Sequence, residues 1–238
     1  MVELVKKVLK SSSLGRALYD PLHRLWRCYS IPHRRALLKK NGYKLFSEVH
    51  ALMTDHGIPY YCEAGTLLGF IRDKGFIAND DDIDLAVLPG EFNLSKVLKV
   101  FIDNGFSYLW GHEYGGRFIE FTVKNRYGIS IDVFQHQPNR EDNRYFDQVF
   151  LRYYPDRTYP SDKCNTALLF KYLAPTGIKT ISEHGIEVNV PENAEEVLDS
   201  EFGPWRIPDP NFKSESTGYK ELPGFTNRLT LEEALGHQ

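Results

Sequence analysis

Long apolar runs are missing from this chain. No stretch of it reaches the roughly 18 apolar residues that a helix needs to cross a bilayer, so no transmembrane helix is expected. The opening segment, MVELVKKVLKSSS, has too little apolar sequence for a secretory leader, and the protein is expected in the cytoplasm. Cysteine is scarce: Cys28, Cys62 and Cys164 are odd in number and widely spaced. That excludes a CxxC or Cys/His zinc pattern and fits reduced thiols in a reducing compartment. A basic excess is absent too, since the net charge is −3 over 238 residues, which argues against nucleic acid as a partner. No repeat or low-complexity tract is present. With 42% hydrophobic and 26% charged residues, the composition suits one globular domain with an appended segment.

What is there is concentrated in residues 60–87, YYCEAGTLLGFIRDKGFIANDDDIDLAV. An apolar stretch from Ile58 to Cys62 runs into Ala64-Gly65-Thr66, and a short amphipathic segment, Leu67 to Arg72, follows. Then Asp80-Asp81-Asp82-Ile83-Asp84 leads directly into Leu85-Ala86-Val87-Leu88. Strand side chains alternate between faces, so Asp82 and Asp84 share one face while Ile83 and Leu85 take the other. Two adjacent carboxylates repel by about 4 kcal/mol at an effective dielectric near 20, an arrangement that calls for a cation. Mg²⁺, or Mn²⁺ in its place, takes oxygen ligands and is held by one or two carboxylates plus substrate phosphates. Gly65 and Thr66 supply the complement, because a glycine at a strand-to-helix turn lets N–H groups approach a phosphate. Together these features point to nucleotide-dependent phosphoryl or nucleotidyl transfer. An acidic surface turn is the plainer reading. An EF-hand loop is excluded because its glycine and glutamate spacing is missing.

Gly65-Thr66-Leu67-Leu68-Gly69, then Arg72, Gly75-Phe76-Ile77 and Asp80-Asp81-Asp82-Ile83-Asp84, resembles the signature of the LicD family. That family includes phosphocholine transferases and fukutin-like ribitol-phosphate transferases. Ala78-Asn79 stands where the family often has Pro-Trp, a departure that leaves the carboxylates in place. Ile131-Asp132-Val133-Phe134, the late segment Gly185–Pro191 and the ending Glu201-Phe202-Gly203-Pro204-Trp205 extend the resemblance over residues 58–208. It implies an α/β (α+β) fold, a nucleotidyltransferase-like mixed sheet flanked by helices, and the residues ahead of it read from their own spacing as an N-terminal helical extension. It further implies transfer of a phosphorylated small alcohol from a CDP-alcohol donor to a hydroxyl of a glycan acceptor such as a cell-surface polysaccharide. Asp82 and Asp84 would hold the metal and Asp80 is a further candidate. Asp132, a lone carboxylate between hydrophobes, would complete the site as ligand, as base, or as both. A carboxylate in that setting is costly unless paired or metal-bound. Gly65, Thr66 and Arg72 are the expected phosphate-binding residues, Arg72 having an ion pair with Asp73 or Asp80 as its plainer role. His136 is expected to be structural and Lys74 solvated. Two other functions stay open: a nucleotidyltransferase that uses a triphosphate and releases pyrophosphate, and a non-catalytic binding protein on the same fold.

Around this centre the chain divides into a basic helical extension over 1–32, a catalytic domain over 33–208 and a tail over 209–238. A helix over 33–56 ends at His56-Gly57, and the next is expected over Glu91–Asn104. Strands are expected over Phe106–Trp110, Phe118–Lys124 and Ile129–Phe134, a loop or short hairpin over 138–165, and a helix over Glu192–Ser200. The tail, rich in Pro, Ser, Gly and Lys, is expected to pack poorly.

Residues 1–40 hold ten Lys/Arg against Glu3 and Asp20, a net of +8, which leaves −11 for the remainder. Leucines and Trp26 recur there near helical spacing, interrupted by Pro21. Such a segment either lies on an anionic membrane at its inner face or packs on the domain with a solvated basic face. If it binds membrane, the full-length protein should co-sediment with anionic vesicles, and less so as salt is raised. A variant lacking residues 1–30 that sediments equally well would leave only the packing role.

Overall fold

The computed structural model describes residues 13–90, 92–154, 157–161, 163–209 and 219–237, with side chains from residue 28 onward. It opens with a 43-residue helix, α1 (Ser13–Asp55). This corrects the expected break at Ile31-Pro32, for the helix runs through both Pro21 and Pro32. Pro32 removes one backbone donor, but it and Cys28, whose carbonyl loses that donor, are both exposed, so water can take its place. Of the apolar side that the spacing predicts for this helix, Leu38, Leu45, Phe46 and Val49 are buried and Leu37 and Leu52 half-buried, with Met53 buried beside them. Gly57, at φ +64°, turns the chain out of the helix.

The strands β1 (Tyr60–Cys62), β2 (Asp82–Val87), β3 (Ser107–Tyr114), β4 (Arg117–Lys124) and β5 (Ser130–Phe134) form one half of a mixed sheet. Within it β2 and β5 run parallel, with Ile83 opposite Ile131, Asp84 opposite Asp132 and Leu85 opposite Val133. Because side chains alternate in step on parallel neighbours, one shared face is apolar and the other carries the acids. Ile83, Leu85, Ile131 and Val133 are fully buried on the apolar face. Helix α2 (Ala64–Leu68) and the π-helical turn Gly69–Asp73 link β1 to β2. Helix α3 (Leu94–Asp103), capped by the Asn93 side chain, lies against β3 and β4.

The other half consists of β6 (Gln137–Pro138), β7 (Tyr145–Arg152), β8 (Cys164–Leu173) and β11 (Lys220–Leu229). The strand order is β1-β2-β5-β4-β3-β11-β8-β7-β6. A separate ribbon, β9 (Ile178–Glu183) with β10 (Ile186–Pro191), packs on β1, and α4 (Ala194–Phe202) follows it. Two expectations are corrected here. The loop or short hairpin expected over 138–165 contains an eight-residue strand, Tyr145–Arg152, which pairs with β6 and with the longer β8. Residues 220–229, expected to pack poorly, join β3 to β8 in mid-sheet, and α5 (Leu231–Leu235) closes the described chain with a Thr230/Glu233 capping box. The polar look of β11 reflects its bulge between Glu221 and Phe225 and its exposed side chains; only Thr226 and Leu229 are buried.

Only Gln135 and His136 separate β5 from β6, yet the two lie far apart in the strand order, so the sheet curls back on itself. The contact that joins its ends centres on Glu63, which follows β1 and is wholly buried. Its Oε1 accepts a 2.8 Å hydrogen bond from Gln148 Nε2 on β7, and His136 Nε2 lies 2.7 Å from the same oxygen. The His136 ring is packed among Phe134, Phe146 and Tyr172. Truncating a buried aromatic ring to alanine costs about 3–5 kcal/mol. His136→Ala should therefore lower Tm by roughly 6–20 °C in a chain of this size, read by thermal unfolding. A change of less than about 2 °C on that scale would show that the sheet closes without this contact.

Candidate active site

The site lies where β1 gives way to α2 and where β2 begins. Glu63 is extended, Ala64 takes φ +46°, and α2 starts at once. Glu63 N–H donates to the Asp84 carbonyl at 3.1 Å, tying the turn to β2. Gly65 leaves room for a carboxylate: a Cβ there would stand 2.9 Å from Asp80 Oδ2 and push that side chain aside. Gly69 is required by space, since its Cβ would fall 2.4 Å from the Gly75 carbonyl oxygen. These glycines let the loop from Gly75 to Asp80 fold back over the helix and set the first aspartate above the turn.

Asp80, Asp82 and Asp84 each place a carboxylate oxygen within 4.8 Å of the others. Asp132 stands beside Asp84 on the neighbouring strand, and its Oδ1 accepts a 2.5 Å hydrogen bond from Thr122 Oγ1 on β4. Burial, and then the charge of Asp82, push Asp132 up to about 8. Asp80 is pushed up to about 7 by the same two causes in the same order. Burial raises Asp84 well above the usual carboxylate range, helped by Asp82, Asp80, Asp132 and Glu63. Asp82 is raised by burial and by Asp81, against a hydrogen bond with Asp80 and then the charge of Arg34. Carboxylates crowded out of water in this way hold protons unless a cation replaces them. The donors are all oxygens, and Asp80 Oδ2 is buried without a hydrogen-bond partner among the described residues. Such a set fits a hard divalent ion.

The structure thus brings Asp80, Asp82 and Asp84 into the tight group, with Asp132 at its side. Two residues expected to bind phosphate are otherwise engaged. Thr66 is wholly buried, and its Oγ1 accepts from Asp84 N–H at 2.9 Å, so its hydroxyl fixes β2 instead of facing a ligand. Arg72 spends Nε and Nη2 on Asp73 at 2.7 and 2.8 Å, and Nη1 donates to the Trp205 carbonyl at 3.3 Å. Adjacent opposite charges find each other first. Two neighbours of the site escaped the sequence reading. Glu63 offered a local signal as a charged residue ending an apolar strand. Arg34, on α1, gave none; its Nη2 lies 2.5 Å from Asp81 Oδ2.

Residues 57–193 match the model of the LicD/FKTN/FKRP nucleotidyltransferase domain, and this chain belongs to that family. The match stops short of the Phe202–Trp205 ending. "Uncharacterized protein RP689" of Rickettsia prowazekii is 34% identical over 87 residues, 36% of this chain and 32% of that protein. Human "Ribitol-5-phosphate transferase FKTN" is 22% identical over 173 residues, 71% of this chain and 34% of that protein. The chain therefore spans about a third of the length of these relatives. Among solved structures, that of the lincosamide antibiotic adenylyltransferase LnuA, lincomycin-bound, superposes with a TM-score of 0.36 at 11% identity, over 65% of this chain and 82% of that one.

Raised carboxylate pKa values make stability depend on pH. Between about pH 4, where an unfolded aspartate ionises, and pH 8, where Asp132 does, the folded state holds a proton that the unfolded state has lost. Stability then falls as pH rises. In chelator, Tm should be lower at about pH 8 than at about pH 5, and Asp132→Asn should flatten the slope. A Tm that rises over this interval would contradict the electrostatics described.

Proposed function

We propose that this domain is a metal-dependent phosphotransferase that moves a phosphorylated small alcohol from a CDP-linked donor to a glycan hydroxyl. The observation that carries the reading is the close grouping of Asp80, Asp82 and Asp84, with Asp132 in register beside them, in a member of this family. The name of the fukutin relatives supports a ribitol-phosphate-like cargo, with phosphocholine as the other class implied by the sequence motif.

Asp80, Asp82 and Asp84 would hold Mg²⁺ or Mn²⁺, whose chemistry is to neutralise charge on the diphosphate. Asp132 is oriented by Thr122 and, near neutral pH, matches the requirement for a general base. The acceptor oxygen attacks the phosphorus that carries the alcohol, and the bond from that phosphorus to the bridging oxygen breaks. CMP leaves, and the acceptor proton passes to Asp132. Thr66 and Glu63 act at one remove, by fixing the backbone of Asp84. The alternative, use of a triphosphate, would release pyrophosphate instead.

Screening CDP-alcohols in the presence of a glycan acceptor should therefore release CMP. Asp82→Asn and Asp84→Asn should each lower kcat by about 10³-fold or more. Their metal-free Tm should hold or rise, because each removes a repelling charge. Asp132→Asn should lower kcat by about 10²–10⁴-fold with the Mg²⁺ half-saturation unchanged. A shifted half-saturation would make Asp132 a ligand, and pyrophosphate as product would replace the reaction.

A further inference from the structure

A site that gathers four aspartates and receives a diphosphate needs cationic donors as well as a metal. The arginine of the sequence motif does not provide them, since Arg72 is bound to Asp73 and to the Trp205 carbonyl. Lys74 lines a different recess, a 480 Å³ cleft shared with Glu183, Glu192, Glu195 and Glu196. Arg34 is placed otherwise. It lies one helical turn before Leu38, which is 2% exposed and roots α1 in the core, so the base of the side chain is fixed.

We propose that Arg34, contributed by α1 from outside the family-matched residues 57–193, is the guanidinium that binds the donor diphosphate at the carboxylate site. The inference rests on the donor class proposed above and assigns a residue that the family match does not cover. Three observations carry it. Arg34 Nη2 meets Asp81 Oδ2 at 2.5 Å, in the middle of the acidic run. Its charge is close enough to Asp82 and Asp132, on the two neighbouring strands of the site, to favour their ionised forms. Its Nε is buried with no hydrogen-bond partner among the described residues. A guanidinium has five N–H donors in a fixed plane, so the Nε/Nη2 edge can meet a phosphate oxygen while the second N–H of Nη2 stays on Asp81. The Arg34 side chain is 35% exposed, so the guanidinium reaches solvent although Nε itself is covered, and a small shift of the side chain brings Nε to a ligand. Asp81 then acts as the tether that holds the fork in the mouth of the site, and an unpaired donor has a ligand to satisfy it.

The test is calorimetric binding of CDP to the full chain with Mg²⁺ present, without turnover. Arg34→Ala should weaken CDP by about 10- to 100-fold, the effect of losing a charge-assisted hydrogen bond, and Arg34→Lys should fall between. Lys40→Ala, an exposed charge on the same helix, should bind as wild type does. Mg²⁺ alone should bind Arg34→Ala at least as tightly as wild type, because a repelling cation has gone. If Arg34→Ala keeps its CDP affinity within about twofold while Asp82→Asn loses it, Arg34 has no such role and the donor reading stands. If Arg34→Ala loses Mg²⁺ as well, the arginine only holds the acidic run in shape, which also overturns the proposal. Failure of wild type itself to bind CDP with Mg²⁺ would remove the donor reading, and this inference with it.

Discussion

Like charges repel, and the fold of this protein is built around making them neighbours. At about 4 Å two carboxylates oppose each other by about 4 kcal/mol in partly screened surroundings, and more as water is withdrawn. The parallel register of β2 and β5 sets Asp84 against Asp132, and the loop from Gly75 returns Asp80 to the same place. Nothing in these acids favours the arrangement. It is imposed by the apolar face beneath, where Ile83, Leu85, Ile131 and Val133 are fully buried in step with them. Slipping one strand by one residue to separate the charges would turn that whole row out of the core. The hydrophobic side of the sheet thus supplies the energy that concentrates charge on the other side.

Around that constraint the polar contacts have a common purpose. Thr66 accepts from Asp84 N–H, Thr122 donates to Asp132, and Glu63 N–H donates to the Asp84 carbonyl. Each fixes a group on β2 or β5 whose charge would otherwise drive it aside. Glu63 has a second attachment through Gln148 and His136, so the closure of the curled sheet and the geometry of the acidic turn meet in one residue. A pre-formed, crowded carboxylate set is what a metal-assisted phosphoryl transfer needs, because the cost of assembling it falls on folding and not on the reaction.

Much of this was legible in the sequence because it is local. Asp82 and Asp84 alternate with Ile83 and Leu85, and Asp132 interrupts an apolar run; period two suffices to put each on its face. Gly65 was legible as special but for a different reason, since it makes room for a carboxylate, whereas Gly69, which clears a backbone carbonyl, stood only in the family signature. Contacts between residues far apart in the chain were not legible. The engagement of Thr66 with Asp84, the reach of Arg34 to Asp81 and the Glu63–Gln148 bond all depend on how elements pack. Arg72 shows the reverse case: a local partner, Asp73, decided its fate. The helix through Pro32 and the strand at 220–229 run against their local composition, because solvation covers the one lost hydrogen bond in the first and pairing with β3 and β8 holds the second.

The position of β11 between β3 and β8 has a kinetic consequence. Until residues 220–229 arrive, the large sheet exists only as two unjoined ribbons, β1-β2-β5-β4-β3 and β8-β7-β6, each with an open edge. Pairings between segments more than a hundred residues apart, such as Asn227 with Glu113, are slow to form, because loop closure must be overcome before contact rewards it. The first ribbon carries all four site aspartates, yet the second brings Gln148 to Glu63. Until β11 pairs with both, the exposed edges of β3 and β8 are the surfaces most open to misassociation.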